Sequence, residues 1–186
     1  EHGFRWKVGP YDACLKMPFI VCTPGRGTKS AVCREPVTVA DIAPTLLDYA
    51  GVKPTWDMHG RSLRPQLTEP AKVVDRLAVM ENTGWRFGPE TDRGLTGPDM
   101  MGQAPSQVPW WIFLRQGNYK YVRILLEDET EELYDLQNDP QELKNLARDA
   151  SQQERIEKFR SQLLTEMERT RAGWTKNLPA PKKGKP

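Results

Sequence analysis

The chain contains 186 residues, which is enough for one domain with a hydrophobic core. Its apolar fraction of 38% is low and its 16 prolines are many, a composition typical of a loop-rich globular piece. The formal net charge of +2 is nearly balanced and gives no argument for nucleic acid as a partner. No apolar run approaches the length of a membrane span.

The residues at 1–11 predict a functional loop. They gather His2, Lys7 and aromatic side chains around glycines and a proline, which permit or fix unusual backbone angles. Loops of this kind bring side chains together, and chemistry is usually done on them. The apolar run at 17–23 follows and leads into a Pro-Gly pair, which predicts a short buried strand leaving this loop.

A helix is predicted to follow Thr38. Thr38 and Asp41 have the spacing of a capping box, and Gly51 suits the C-terminal end of the helix. Asp41 and Asp48 are expected to be capping or solvated carboxylates rather than catalytic ones. The apolar face of this helix is formed by Ile42, Leu46, Leu47 and Ala50.

The middle of the chain alternates between connections and a strand. Residues 52–76 indicate a surface connection, and 77–81 indicate a strand. His59 in the connection has no second ligand nearby, which disfavours a role in binding metal or substrate. Residues 85–111 form a long loop rich in tryptophan and arginine. Two alternatives remain open for it: its rings and guanidinium groups shape a pocket, or its tryptophans cover the core.

The C-terminal third predicts an antiparallel sheet covered by a helix. Residues 111–126 give two strands around a turn at 116–118, and 133–136 give a third strand. Ser151 and Glu154 have capping-box spacing at the start of a helix that runs to about residue 172. The stripe expected to dock on the sheet consists of Ile156, Phe159, Leu163 and Met167.

Five segments form an ordered set along the chain. The first joins Glu1-His2-Gly3, Lys7 and Tyr11-Asp12 to the apolar run at 17–21. The other four are residues 41–51, 57–63, 114–121 and 132–140. Together they resemble the sulfatase family of the alkaline-phosphatase-like superfamily over roughly residues 1–147. Each segment alone is a weak signal, but five in the right order are specific.

The resemblance implies an α/β chain that is the C-terminal part of an alkaline-phosphatase-like sulfatase fold, with a small antiparallel sheet packed by a C-terminal helix. Residues 1–76 would be the C-terminal segment of the main α/β domain, and 77–174 a C-terminal subdomain. Residues 175–186 would be a disordered basic tail. The formylglycine nucleophile and the calcium ligands are expected upstream of Glu1, so no metal ligand is expected within this chain.

The same resemblance assigns expected roles to four side chains. Lys7 would clamp a sulfate oxygen as a point charge. His2 would act near the leaving group, as an acid or hydrogen-bond donor. Trp85 and Arg86 would contact the substrate, by ring stacking and by meeting anions. The expected substrate is a small sulfate ester or a sulfated glycan, and the expected protein partner is the remaining N-terminal part of the sulfatase.

The three cysteines are Cys14, Cys22 and Cys33. Their odd number and spacing predict free thiols, although one disulfide stays open if the protein is exported. Residues 22–26 match the Cys-x-Pro-x-Arg pattern that marks the formylglycine precursor in sulfatases. We interpret this match as coincidence, because it follows the Lys7 loop instead of preceding it and because its glycines continue a turn.

The predicted function is hydrolysis of sulfuric esters by the full-length protein. A phosphonate monoester or phosphodiester hydrolase of the same superfamily stays open, as does a non-catalytic binding module if the gene begins near Glu1. The chain alone is predicted to be inactive, because the motifs that it matches lack the nucleophile and the metal pair. By resemblance, a periplasmic or secreted location is favoured over the cytoplasm.

Overall fold

The computed structural model describes residues 9–22, 30–82, 109–125 and 131–172, together with residues 175, 178 and 180. The chain divides into two compact units. One unit is Met17–Ala78, and the other joins Glu1–Lys16 to Val79–Pro186. Most of the predicted tail, and the long loop at 85–111 up to residue 108, lie outside the described residues.

Helices and strands are mixed in the described part of the chain. The helices are α1 (Asp12–Leu15), α2 (Ile42–Ala50), α3 (Arg64–Thr68) and α4 (Gln153–Arg169). The strands are β1 (Leu77–Asn82), β2 (Trp111–Gln116), β3 (Tyr119–Ile124) and β4 (Glu132–Asp135). No helix among these residues combines the length and the apolar character that crossing a bilayer requires.

The strands form one sheet in the order β1-β2-β3-β4. The β2–β3 and β3–β4 pairs are antiparallel, which confirms the predicted hairpin and third strand. The hairpin turns at Gly117, whose φ of 54° suits a residue without a side chain. The predicted strand at 77–81 also forms and joins the sheet as β1, so the sheet has four strands instead of three.

Side chains along a strand alternate between the two faces of the sheet. The face that carries Leu114, Tyr121 and Leu133 is called here the helix face. The opposite face carries Arg115, Lys120 and Tyr134 and is called the loop face. Neighbouring residues of β3 therefore enter two different environments.

Helix α4 covers the helix face. Phe159 stacks on Tyr121 with ring centroids 5.7 Å apart and planes 7° apart. Gln162 Nε2 donates a hydrogen bond of 3.0 Å to Gln116 Oε1. The predicted stripe, Ile156, Phe159, Leu163 and Met167, is buried, with no more than 3% of any member exposed. The expectation that this helix docks on the sheet is confirmed.

The predicted cap of α4 is wrong. The helix begins at Gln153 after a 3-10 turn over Ala150–Gln152, and Asp149 rather than Ser151 is the N-cap of that turn. Asp149 Oδ1 accepts hydrogen bonds from both N and Oγ of Ser151, each 2.8 Å long. The Ser151 hydroxyl is thus used as a donor, and the Asp149 carboxylate satisfies the backbone N–H of Ser151, two residues after the N-cap.

A turn at 139–146 returns the chain along the outer edge of β4. Asn145 Oδ1 accepts from Leu133 N at 3.0 Å, and Asn145 Nδ2 donates to Glu131 O at 3.0 Å. Leu146 N donates to Leu133 O at 2.8 Å. These bonds cover the strand edge, where unpaired backbone groups would otherwise be exposed. They also fix the turn that carries Glu142.

Asp41 organises the Met17–Ala78 unit. Its Oδ2 accepts from Thr38 N at 2.8 Å, which confirms the predicted capping box. Its Oδ1 lies 2.7 Å from Arg76 Nη2 and accepts from Arg61 N at 2.8 Å. The side chain is 3% exposed, so this carboxylate is structural rather than solvated. Gly51 ends α2 in the left-handed region at a φ of 69°, as predicted.

The predicted apolar face of α2 is not buried. Leu46 is 65% exposed and Ile42 is 38% exposed, whereas the buried residue of this helix is Thr45. Thr45 Oγ1 donates to Asp41 O at 2.6 Å and accepts from Leu63 N at 2.8 Å. The helix therefore packs within its unit through a polar position, and its leucine-rich side is left uncovered.

The predicted buried strand at 17–23 is also wrong over its described part, 17–22. These residues form no strand, and Ile20 is 89% exposed. A strand buried on both faces needs neighbouring strands and covering helices. The described residues of this chain place no strand beside the segment.

Candidate functional site

The four side chains predicted to act on substrate are His2, Lys7, Trp85 and Arg86. All four lie outside the described residues, so their roles stay predictions. The structure does describe the C-terminal end of the predicted functional loop, where Gly9 and Pro10 are buried. This end and the α1 helix that follows lie in the same unit as the sheet.

Tyr11 is the first residue that holds the end of the loop. Its hydroxyl donates to Glu132 Oε1 at 3.2 Å, while the Tyr134 hydroxyl donates to Glu132 Oε2 at 3.0 Å. The Tyr11 and Tyr134 rings meet edge to face, with centroids 6.3 Å apart. Burial, followed by the nearby charge of Glu132, raises the pKa of Tyr11 well above its ordinary value. Both hydroxyls therefore stay protonated donors at neutral pH.

Asp12 anchors the loop more strongly, through charge. Its Oδ1 lies 2.9 Å from Lys120 Nζ, and its Oδ2 lies 3.4 Å from Arg115 Nη1. Its backbone N–H donates to Glu142 Oε2 at 2.6 Å. The same Glu142 carboxylate places Oε1 at 2.7 Å from Lys120 Nζ. These four residues, Asp12, Arg115, Lys120 and Glu142, are called the Asp12 cluster.

The inner pair of the Asp12 cluster is deeply buried. The side chains of Lys120 and Glu142 are 0% and 1% exposed. Charges removed from water this completely are tolerated only when they are paired. Lys120 Nζ also lies 4.7 Å from the centroid of the Phe113 ring, a distance at which the ring face attracts a cation. Glu142 adopts a φ of 57°, which is uncommon for a residue with a side chain.

A second charged cluster lies on the helix face. Glu131 Oε1 accepts from Arg160 Nε at 2.8 Å and from Arg123 Nη1 at 3.0 Å. The Tyr121 hydroxyl also donates to Glu131. Burial alone would raise the pKa of Glu131, but the hydrogen bonds from Arg160 and Tyr121 and the two cationic charges hold it below its ordinary value. This carboxylate ties α4 to the sheet and is remote in sequence from the predicted loop.

The described residues do not form a metal site. No group of three or more His, Cys, Asp or Glu side chains that could hold an ion occurs among them. His59 is exposed. Cys14, Cys22 and Cys33 are free thiols, as predicted, and Cys22 is exposed. Residues 23–26 of the Cys-x-Pro-x-Arg match lie outside the described residues, so the interpretation of that match as coincidence stays a prediction.

The tryptophans that begin β2 belong to the core. Trp110 and Trp111 are 3% and 1% exposed, respectively. Of the two alternatives for the long loop, covering the core is therefore supported for these two rings. The loop residues up to 108 lie outside the described residues, so the pocket alternative stays open for Trp85 and Arg86.

The sheet and its covering helix are those of an α/β protein of the alkaline-phosphatase-like fold. The solved structure of a 2-O GAG sulfatase is 29% identical with a TM-score of 0.51, and the similarity covers 73% of this chain and 26% of that one. A second solved structure, of a protein from Bacteroides thetaiotaomicron, is 28% identical with a TM-score of 0.52, and the similarity covers 73% of this chain and 25% of that one.

The particular family follows from the sequence match. Residues 1–80 and 103–170 match the family described as N-sulphoglucosamine sulphohydrolase, C-terminal, and the chain belongs to that family. An arylsulfatase of Clostridium perfringens is 27% identical over 178 residues, covering 94% of this chain and 32% of the relative. A Delta 4,5-hexuronate-2-O-sulfatase of Bacteroides thetaiotaomicron is 34% identical over 142 residues, covering 75% of this chain and 26% of the relative. The chain thus spans about a quarter to a third of the length of the curated relatives it matches.

The Asp12 cluster was missed by the sequence analysis. Tyr11-Asp12 contributed only a motif, Lys120 was part of the segment 114–121 noted for its resemblance, and Glu142 lay beyond the last such segment, 132–140. One signal was available: on its face of β3, Lys120 alternates with the apolar residues Val122 and Ile124. A lysine at such a position requires a buried acidic partner. The sequence does not say which of 25 acidic residues that partner is.

Proposed function

We propose that this chain is the C-terminal part of a sulfuric ester hydrolase. The observation that carries the proposal is the match of residues 1–80 and 103–170 to the sulfatase family. The Asp12 cluster adds support, because it holds the end of the predicted functional loop against a rigid sheet. Binding and catalytic residues are commonly placed on loops that a rigid scaffold positions.

The nucleophile and the metal of a sulfatase are assigned to the part of the protein that precedes Glu1. The described residues do not provide a fitting set of calcium ligands, so no step is assigned to a metal within this chain. The chain's own contribution comes from two side chains. The Lys7 ammonium meets the sulfate oxygens as the S–O bond breaks, and His2 supplies a proton to the departing ester oxygen.

The proposed substrate is a sulfate ester carried on a sugar. Two relatives support this class: the Delta 4,5-hexuronate-2-O-sulfatase and an N-acetylglucosamine-6-O-sulfatase that is 28% identical over 150 residues. In this chain the substrate contacts are assigned to Trp85, whose ring can stack on a sugar, and Arg86, which can pair with anions. The partner that completes the site is the N-terminal part of the protein.

Paired assays of the full-length protein test the proposal. We expect turnover of aryl and sugar sulfates, with much lower turnover of matched phosphate and phosphonate esters. A preference for the phosphonate ester would assign the protein to the alternative hydrolase class, and activity on neither ester would contradict an enzymatic function. The 186-residue chain alone, assayed beside a heat-killed control, is expected to be inactive.

Lys7→Ala in the full-length protein tests the proposed role of the lysine. Removing one group that stabilises transition-state charge typically lowers the rate by about 10²–10³. The parent protein and Lys7→Ala would be compared in steady-state assays on the same sulfate ester. Unchanged kinetics would mean that Lys7 is a surface charge without contact to substrate.

A further inference from the structure

The Asp12 cluster joins three segments that are distant in sequence. Asp12 follows the predicted functional loop, Lys120 and Arg115 lie on neighbouring strands, and Glu142 lies on the turn after β4. Asp12 is held through both its side chain and its backbone: its carboxylate pairs with Lys120 and Arg115, and its backbone N–H donates to Glu142. Position and direction of the chain are thus both fixed at the residue where the loop ends.

Stability alone does not account for this cluster. A buried ion pair is often no more stabilising than apolar residues of similar volume. Glu142 Oε1 lies close to Lys120 Nζ but accepts no well-aligned hydrogen bond from the described residues. The best-attested use of buried charge is to specify one arrangement among several, and here the arrangement specified is that of the loop end.

Lys7 is coupled to this anchor by a short stretch of chain. Five positions separate Lys7 from Asp12, so their Cα atoms lie at most about 18 Å apart even when the chain is fully extended. Gly9 and Pro10, within that stretch, are buried. We therefore expect a change in the position of Asp12 to alter the geometry of the loop residues that precede it.

We propose that Lys120 and Glu142 are positioning residues for sulfate ester hydrolysis. They hold Asp12, and through Asp12 they hold the loop whose Lys7 meets the sulfate in the transition state. The inference rests on the proposed function. It assigns to the C-terminal sheet a role in catalytic geometry. Such a role would affect the rate strongly, because a displacement of about 1 Å at a catalytic group can cost on the order of 10² in rate.

Glu142→Gln in the full-length protein is the primary test. Glutamine keeps the size of the side chain and an oxygen for the Asp12 N–H, but it leaves Lys120 with one carboxylate fewer. We expect kcat to fall by about 10-fold or more while KM changes little, because the lost interaction is made mainly in the transition state. Glu131→Gln is the matched control. It removes a buried, arginine-paired carboxylate from the helix face, and it should lower stability without lowering kcat of the folded enzyme.

A double-mutant cycle with Lys7→Ala separates positioning from simple stabilisation. If Glu142 acts through Lys7, Glu142→Gln costs little further rate in the Lys7→Ala background. If Glu142 affects the rate independently of Lys7, the two losses multiply, and if it only stabilises the fold, kcat of the folded enzyme is unchanged; either result overturns the inference. A parent protein without sulfate ester activity would instead overturn the proposed function, so the two failures are distinguishable.

Two further variants keep the test valid if Glu142→Gln folds poorly. Lys120→Met/Glu142→Gln also removes the buried ammonium, which Glu142→Gln leaves with one carboxylate fewer, so stability should recover toward that of the parent while kcat stays low. Recovery of kcat along with stability would overturn the inference. Arg115→Gln changes the more exposed rim of the cluster, where the side chain is 23% exposed. Arg115→Gln should lower kcat by a smaller factor than Glu142→Gln does. An unchanged kcat in Arg115→Gln would count against the proposal.

Discussion

Glu131 shows how a single carboxylate can join two elements. It lies just before β4 and is 6% exposed, and its partners come from β3 and α4. Because the guanidinium groups and the Tyr121 hydroxyl favour the charged form, its pKa in the folded protein lies below its ordinary value of 4.5. A carboxylate with a depressed pKa contributes stability that is complete above its unfolded pKa and is lost as the pH falls through its folded pKa.

Glu131→Gln should therefore change the acid end of the stability profile. In the parent protein, the free energy of unfolding is expected to decline as the pH drops below about 4.5, the unfolded value. In Glu131→Gln the unfolding free energy is lower at neutral pH, and its decline in acid is shallower. Urea denaturation at several pH values measures both curves. Parallel curves for parent and variant would mean that Glu131 does not carry this pH dependence.

At the scale of elements, α4 is the main cover of the sheet. Phe159→Ala removes a buried ring that stacks on Tyr121, and it should cost roughly 3–5 kcal/mol of unfolding free energy. Glu157→Ala is the control on the opposite side of the helix, where the side chain is 67% exposed and pairs with Arg160 at i,i+3. It should cost within about 0.5 kcal/mol.

Denaturation midpoints of the two variants give the comparison. A large shift for Phe159→Ala with almost none for Glu157→Ala is the expected pattern. Equal and small shifts would show that the docking of α4 contributes little to the cooperative unfolding of this part of the chain.

The sequence predicted those elements whose signal is local. The spacing of Phe159 and Leu163 identified the buried stripe of α4, and Gly117 identified the hairpin turn. The cap of α4 was misassigned to Ser151 because aspartate and serine lie two positions apart and both can cap a helix. The start of a helix depends on which of several nearby side chains accepts the hydrogen bond from one backbone N–H.

The ion pairs between distant parts of the chain could not be predicted from the sequence, for a different reason. Asp12 and Lys120 are 108 positions apart, and nothing in either local pattern names the other. The alternation in β3 showed only that Lys120 would be on one face of the sheet. The acidic partners of Lys120 are set by the path of the chain over the loop face and by the turn that carries Glu142. Neither segment has a periodic sequence pattern from which its position could be predicted.

At the scale of the whole molecule, apolar exposure in the Met17–Ala78 unit is informative. Ile20 and Leu46 were predicted to be buried and are instead 89% and 65% exposed. Under the proposed function, we expect the N-terminal part of the complete protein to cover these side chains. Patches of exposed apolar side chains commonly mark surfaces that another body of protein covers.

Leu46→Ala tests this explanation by comparing two forms of the protein. In the 186-residue chain the substitution should cost within about 0.5 kcal/mol, because the side chain is already in water. In the full-length protein it should cost roughly 2–5 kcal/mol, as for a buried leucine. Leu164→Ala, at a side chain of α4 that is 44% exposed, is the control and should cost little in both forms. Equal effects of Leu46→Ala in the two forms would mean that Leu46 stays in water in the complete protein.

The alternation of Lys120 and Tyr121 along β3 also restricts how the sheet can be misassembled. A shift of β3 by one residue would exchange its two faces, as it does in any strand. The Lys120 ammonium would then replace Tyr121 between Leu114, Leu133 and the Phe159 ring, away from Asp12 and Glu142. Asp12 and the buried Glu142 would lose the cation that pairs with them. Because a buried charge that loses its partner costs several kcal/mol, the shifted register would be less stable than the native one. One buried lysine thus raises the free energy of hairpins with a shifted register above that of the native hairpin. This difference disfavours misaligned folds in a chain that has many exposed apolar residues.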